Sequence, residues 1–306
     1  MPSILVAGSI ALDTIKTPKS SAAKLLGGSA SYASLAASYL CDDVRLSGII
    51  GRDFPPAHLE MLAKHGVRLD AVERSEGESF SWSGEYLANM NERVTHAVAV
   101  NVLETWQPKL PDGVRDASHI VLANMSPDNQ LQVLDQCEAP SFVVADTMDL
   151  WISIARPRLL EVLRRIDLLV INESEAREFT GRDNLISAGA ALLETGPAWV
   201  VIKLGEHGAF LFGRGEHDFF SCAAFPLTEV NDPTGAGDSF LGGLAGHLAG
   251  PAKGKTPDLE TLKQAIVAGT IMASFTCEAF STRRLEGLTD EVIQGRLDRF
   301  RSYTTF

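Results

Sequence analysis

The run Asn231-Asp232-Pro233-Thr234-Gly235-Ala236-Gly237-Asp238-Ser239-Phe240 has the side chains with the clearest chemical purpose. Thr234 to Gly237 carry almost no side-chain bulk, and Phe240, Leu241, Leu244 and Leu248 then recur at helical spacing. The pattern predicts a strand end, a tight loop and a helix start. A helix N-terminus has unpaired N–H donors and about half a positive charge, so such a loop is an anion site. Asp238 falls in the first turn, beside that anion. An exposed Asp there can simply complement the helix dipole, for about 0.3–1 kcal/mol. That reading leaves the Gly-Ala-Gly run, Asp232 and Thr234 unexplained. The alternative is phosphoryl transfer. The amides of Gly235, Ala236 and Gly237 would hold the charge developing on a transferred phosphoryl group, and Asp238 would take the proton of the attacking hydroxyl.

The flanking elements say how such a loop is held. Apolar strand-length runs at 4–7, 44–50, 120–123, 142–145, 168–171, 199–204 and 209–212 alternate with helical patterns at 127–137, 157–165, 173–180 and 185–193. Ser29 or Ser31 can cap a small-residue helix running to 40, and Pro55 and Pro56 open another that ends at 64. A Phe- and Cys-containing strand at 217–225 precedes the anion loop, and only helices follow it, at 258–275 and 289–300. This order predicts a mainly parallel sheet with helices on both faces and ligands at the carboxyl ends of the strands. Between 67 and 102 the helical period disappears, which suggests a small antiparallel unit containing Trp82, Tyr86 and Arg93. Those aromatics suit a lid, an interface or stacking on a base.

Asp-Pro-Thr-Gly-Ala-Gly-Asp-Ser-Phe closely resembles the C-terminal signature of the ribokinase family, also called the PfkB carbohydrate kinase family. The resemblance implies a single ribokinase-like α/β domain over 1–306, a three-layer sandwich with a small β lid from about 10–20 and 68–102. It implies an ATP-dependent kinase acting on a hydroxyl of a nucleoside or sugar. Asp13, with Gly27 and Gly28, resembles the family's acceptor side, where the carboxylate binds hydroxyls and the glycines let the backbone approach. The family often has Asn where this chain has Tyr32, which would donate through its hydroxyl, stack on the acceptor's ring, or simply be packed on the helix. Asn172 and Glu175 match the family's N-x-x-E element near Mg²⁺ and the phosphates, with Glu175 acting through water. Lys203, Gly205 and Gly208 resemble the nucleotide-side T-x-G-x-x-G segment, with Lys203 in place of Thr. Asp232 and Thr234 match positions associated with K⁺. The implied cofactors are ATP and Mg²⁺, with K⁺ as a candidate. The lid is a candidate homodimer clasp.

Composition narrows the alternatives. The 306 residues are 45% hydrophobic, enough for a large core. With 27 Lys plus Arg against 39 Asp plus Glu, the net charge of −12 disfavours nucleic-acid or anionic-membrane partners. The four cysteines form no C-x-x-C pair and read as core thiols of a reducing compartment. The apolar N-terminal run has no basic region before it and reads as a strand, and no stretch is long enough to span a membrane, so a cytoplasmic protein is expected. Gly250 to Lys255 lacks Walker A spacing, and no G-x-G-x-x-G follows the first strand, which sets aside an NAD-binding fold. A noncatalytic nucleotide or sugar sensor on the same scaffold is the remaining alternative, and the complete Gly-Ala-Gly-Asp loop speaks against it.

Overall fold

The computed structural model describes residues 2–250 and 257–304. Most of the Gly250 to Lys255 stretch therefore lies outside the described residues. The chain begins with β1 (Ile4–Ala7), β2 (Ala11–Lys16), β3 (Ser21–Gly27) and α1 (Ser29–Ala37), then β4 (Val44–Ile50), α2 (Pro56–Lys64) and β5 (Val67–Arg74). Next come β6 (Phe80–Tyr86), β7 (Arg93–Ala99), α3 (Asp112–Arg115), β8 (His119–Leu122), α4 (Pro127–Gln136) and β9 (Phe142–Asp146). After α5 (Asp149–Ile154) and α6 (Arg156–Leu163) follow β10 (Leu168–Asn172), α7 (Glu173–Thr180), α8 (Leu185–Leu193) and β11 (Trp199–Lys203). β12 (Ala209–Gly213), β13 (Phe219–Cys222), α9 (Ala236–Leu248), α10 (Leu259–Thr276) and α11 (Asp290–Thr304) complete the described chain.

The large sheet has nine strands in the order β13-β12-β11-β10-β9-β8-β1-β4-β5. It is parallel from β11 to β5, and β12 and β13 run antiparallel. Both faces are covered, as the continuous apolar strands require. In β1, Ile4 and Val6 face a core shared with α1, α2, α9 and α10. Leu5 and Ala7 face the opposite core, closed by α4, α6, α7 and α8. The result is the three-layer α/β sandwich expected from the alternation of elements. Among the described residues no helix is long and apolar enough to cross a membrane.

The second sheet has four strands in the order β3-β2-β6-β7. Its boundaries differ from the expected 10–20 and 68–102. Residues 67–74 form β5, which pairs in parallel with β4 at the edge of the large sheet. Val67 and Ala71 are buried there, and that apolar contact outweighs the segment's resemblance to lid strands. The polar piece from 14 onward proves to be the β2–β3 hairpin, closed by Thr17 N–H donating to Ser20 O at 2.8 Å. Neither expected serine caps α1. Gly28 is the N-cap residue and makes no side-chain hydrogen bond, while Ser29 Oγ donates to Asn124 O.

The seating of α9 sets where the chemistry sits. A Cβ on Gly242 would lie 2.1 Å from Ala33 O of α1, and one on Gly269 of α10 would lie 2.6 Å from Phe240 O of α9. Glycine lets both neighbours come within backbone contact of α9. We predict that Gly242→Ala destabilises the fold by about 1–3 kcal/mol, because the added methyl meets backbone rather than a movable side chain. Gly295→Ala in α11, where nothing lies within 4 Å, should be neutral or stabilising. Thermal unfolding of the pair checks this, and equal midpoints would exclude the close approach.

Candidate active site

The anion loop turns on Gly235, whose φ of +79° lies in the left-handed region. A Cβ there would also lie 2.4 Å from the Tyr32 ring, so only glycine fits. Upstream, Asp232 is 0% exposed. Its Oδ1 accepts from Thr234 N–H at 2.9 Å and its Oδ2 from Ser281 N–H at 3.2 Å, and burial raises its pKa. Among the described residues no cation pairs with it. The Ala236 amide, expected to face an anion, donates instead to Pro233 O at 3.1 Å and closes the turn. No hydrogen bond engages the amides of Gly235, Gly237 or Asp238 among the described residues. The open donors of the helix mouth are therefore Gly235 and Gly237, joined by Asp238 rather than Ala236.

Asp238 retains partial access to solvent. Burial pushes its pKa up to about 6, Asp146 adds to the rise, and Lys203 and Arg93 oppose it. Lys203 Nζ lies 3.2 Å from Asp146 Oδ2 and 3.4 Å from Oδ1. The same ammonium lies 3.2 Å from the point where a Gly237 Cβ would stand. Burial alone would lower the Lys203 pKa, but the carboxylates of Asp146, Glu175 and Asp238 hold it above its ordinary value. Asp146 ends β9 and is fixed from two sides: Gln130 Nε2 donates to its carbonyl at 3.0 Å, and its Oδ1 accepts from Thr147 N–H at 2.9 Å.

Asn172 and Glu175 form a capping box at the start of α7. Asn172 Oδ1 accepts from Glu175 N–H and Glu175 Oε2 accepts from Asn172 N–H, both at 2.9 Å. The second Glu175 oxygen has no hydrogen-bond partner among the described residues. Burial and then Asp146 push the Glu175 pKa up to about 7 against the pull of Lys203. The plain helix-start reading therefore holds, and it leaves one carboxylate oxygen unengaged among the described residues, within electrostatic reach of Asp146 and Lys203. Gly205 and Gly208 bound a single 3₁₀ turn between β11 and β12. Both have positive φ, and a Cβ on Gly208 would lie 1.9 Å from Cys222 O.

On the opposite side, Asp13 stands in the middle of β2 and is 5% exposed. Its carboxylate occupies the space a Gly27 side chain would take, with Oδ2 2.1 Å from that Cβ position. Gly28 has a φ of +89° and lies against the carbonyl of Ser9. Burial first, then Asp232 and Asp238, push the Asp13 pKa up to about 8. Tyr32 does not face an open pocket as expected. It is 1% exposed, its ring lies beneath Gly235, and its buried hydroxyl has no hydrogen-bond partner among the described residues. The lid closes over this group. Trp82 pairs in register with Asp13, Arg93 pairs with Tyr86, and Thr234 Oγ1 donates to the Tyr86 hydroxyl at 3.2 Å. Asn91 Nδ2 also donates to Glu206 Oε1 at 2.8 Å, and Lys19 pairs with Glu229.

Sequence reasoning missed Asp146 and Ser281. The expected strand at 142–145 stops one residue short of Asp146, although an acid ending a buried parallel strand is itself a signal. Ser281 has no sequence signal: its φ of +58° and its contact with Asp232 arise only when the segment after α10 folds back. Among the described residues no group of three or more Asp, Glu, His or Cys gathers as a metal cage.

The sequence model of the pfkB family carbohydrate kinases matches residues 1–286. A cytidine kinase of Thermococcus kodakarensis is 28% identical over 82% of this chain and 90% of its own length. The Burkholderia thailandensis nucleoside kinase, solved in complex with inosine, superposes with a TM-score of 0.77 at 18% identity over 98% of this chain and 99% of that one. Arabidopsis thaliana ribokinase, solved with ribose and ATP, gives 0.75 at 22% identity over 97% and 98%.

The Asp13 carboxyl gives the geometry a measurable consequence. Its pKa rises from 3.8 in the unfolded chain to about 8 in the fold, so at pH 7 folding must take up a proton. That cost is absent below about pH 4 and grows as pH rises toward 8. Asp13→Asn should therefore stabilise the protein at pH 7, on the order of a few kcal/mol, with the gain vanishing below about pH 4. Unfolding midpoints across that range check it, and no difference at pH 7 would contradict the burial.

Proposed function

We propose, from the premise that the chain belongs to the pfkB carbohydrate kinase family and is an ATP-dependent kinase, that it phosphorylates a hydroxyl of a nucleoside with Asp238 as general base. The observation that carries this reading is the pairing of a carboxylate of pKa about 6 with unengaged amides at one helix mouth. At neutral pH that carboxylate is ionised and can accept a proton. The acceptor oxygen attacks the γ-phosphorus. The bond from that phosphorus to the bridging oxygen breaks, and its electron pair leaves with ADP. The hydroxyl proton passes to Asp238 and then to solvent. The amides of Gly235 and Gly237, with that of Asp238, meet the charge on the moving phosphoryl group.

The Asp13 carboxyl, protonated at neutral pH in the empty fold, has both a donor and an acceptor for the hydroxyls of the acceptor, and Gly27 and Gly28 keep the backbone clear of it. Tyr32 acts from beneath, through Gly235. Residues Lys203 to Gly208 line the nucleotide side. Asn172 and Glu175 fit a water-mediated Mg²⁺ site, since one Glu175 oxygen is unengaged and Mg²⁺ keeps most of its water shell. When bound, the metal neutralises and orients the phosphates. Asp232, buried with no paired cation among the described residues, and Thr234 fit a monovalent cation such as K⁺.

The choice of a nucleoside over a free sugar rests on Trp82, in register with Asp13, on Tyr86, whose hydroxyl meets Thr234, and on the named activity of the cytidine kinase relative. A closed lid excludes water and so limits ATP hydrolysis. Its edge strand β7 exposes Val94 and Val98, and Val100 just beyond it is exposed too, which suits a homodimer clasp.

A screen of ADP release across nucleosides and free sugars tests the acceptor, and turnover with sugars alone would replace the nucleoside. Asp238→Asn should bind ADP within a few-fold of the parent and lose about 10²–10⁴ in kcat. In the parent, kcat/KM should fall with decreasing pH below about 6, as Asp238 becomes protonated. Near-parental turnover in the Asn variant would overturn the base assignment.

A further inference from the structure

Lys203 was expected near the ATP phosphates, and its ammonium lies at the mouth of α9. The side chain crosses the end of β10: in register, Asp146 of β9 pairs with Val170 and Lys203 of β11 pairs with Asn172. The two residues thus stand on strands either side of β10, and a four-carbon stem is needed to close the gap. Nζ ends within 3.4 Å of both Asp146 oxygens and 3.2 Å from the Gly237 Cβ position, at the helix mouth. The Lys203 side chain keeps 17% of its exposure and that of Asp146 6%. Gly237 has no side chain to push the ammonium away.

We propose that Lys203 is the fixed cation of the phosphoryl-transfer site, and that Asp146 is the positioning residue that holds its ammonium at the mouth of α9 until the γ-phosphoryl group takes its place as partner. This rests on the kinase reading above and assigns Lys203 to the transferred phosphoryl group rather than to the nucleotide as a whole. Two features support it. The ammonium lies beside Gly237, whose amide is open, so an anion seated at that residue has both donors close by. The ion pair also presets the cation, so no solvent need reorganise as charge develops. When Lys203 turns to the phosphoryl oxygens, the covalent exchange is unchanged: γ-phosphorus gains the acceptor oxygen and loses the bridging one.

The test uses the full chain with Mg²⁺. Calorimetry measures affinity for ADP and for the β,γ-imido analogue of ATP, independent of turnover. Lys203→Met should weaken the analogue by about tenfold or more and leave ADP within about twofold. It should lower kcat by about 10²–10³, and Lys203→Arg should restore at least part of that. Asp146→Asn should lower kcat less. The double variant Asp146→Asn with Lys203→Met should be no slower than Lys203→Met alone, since Asp146 acts through Lys203. The double variant also removes both buried charges, so it guards against a misfolded single variant.

Equal loss of ADP and analogue affinity, or none, would overturn the γ-phosphoryl assignment. Multiplying losses in the double variant would overturn the positioning role of Asp146. A parent chain that binds both nucleotides but phosphorylates no acceptor would sink the kinase reading, while the affinities would still decide Lys203.

Discussion

Carboxylates crowd one partly buried space. Asp146 raises the proton affinity of Glu175 and Asp238, Asp238 raises that of Asp13, and Lys203 is the partly buried cation that opposes the rise at Glu175 and Asp238. Such a cluster is unfavourable in the empty protein, because burial and like charge both oppose ionisation. It persists because the large sheet delivers Asp146 and Lys203 from the ends of rigid strands, and because α9 presents open donors to the same space. The geometry makes sense as a receptacle for an incoming cluster of charges: polyphosphate, its metal and a hydroxyl about to lose its proton. The strain of the empty state is the counterpart of affinity in the filled one.

The packing around α9 serves that electrostatic arrangement. A helix whose mouth must stay open cannot be held by capping side chains at its start, since a cap would occupy the donors the site needs. Its position is instead fixed along its length, by glycine contacts to α1 and α10 that approach backbone distance. The loop amides of Thr234 and Ala236 are internally bonded, to Asp232 Oδ1 and Pro233 O, and form the turn that sets the direction of the rest. Tyr32 contributes from the same side, filling the volume beneath Gly235.

The sandwich was legible because each parallel strand is a bounded apolar run and each helix has a recognisable start. Asp238 and Asp13 were legible because their neighbours are small in a pattern that packing alone does not require. The lid limits were harder. Residues 67–74 alternate like a lid strand, and only pairing with β4, a tertiary matter, assigns them to the large sheet. The role of Tyr32 was obscured for a related reason: its polarity suggested a ligand, whereas its ring fills space below a glycine more than 200 positions later. Asp146 was overlooked because one acid at a strand end acquires meaning only when the lysine two strands away reaches across to it.

The span of chain between these groups has its own consequence. Asp13 belongs to the second strand made, Asp146 to the ninth, and Asp238 to a helix that follows every strand of both sheets. Even β1 receives its inner neighbour β8 only after residue 119. During translation, therefore, a partial chain lacks the donors and the base together until the ribosome is well into its last quarter. A chain that ends before that helix lacks both Asp238 and the open amides beside it, so the space around Asp146 and Lys203 stays incomplete.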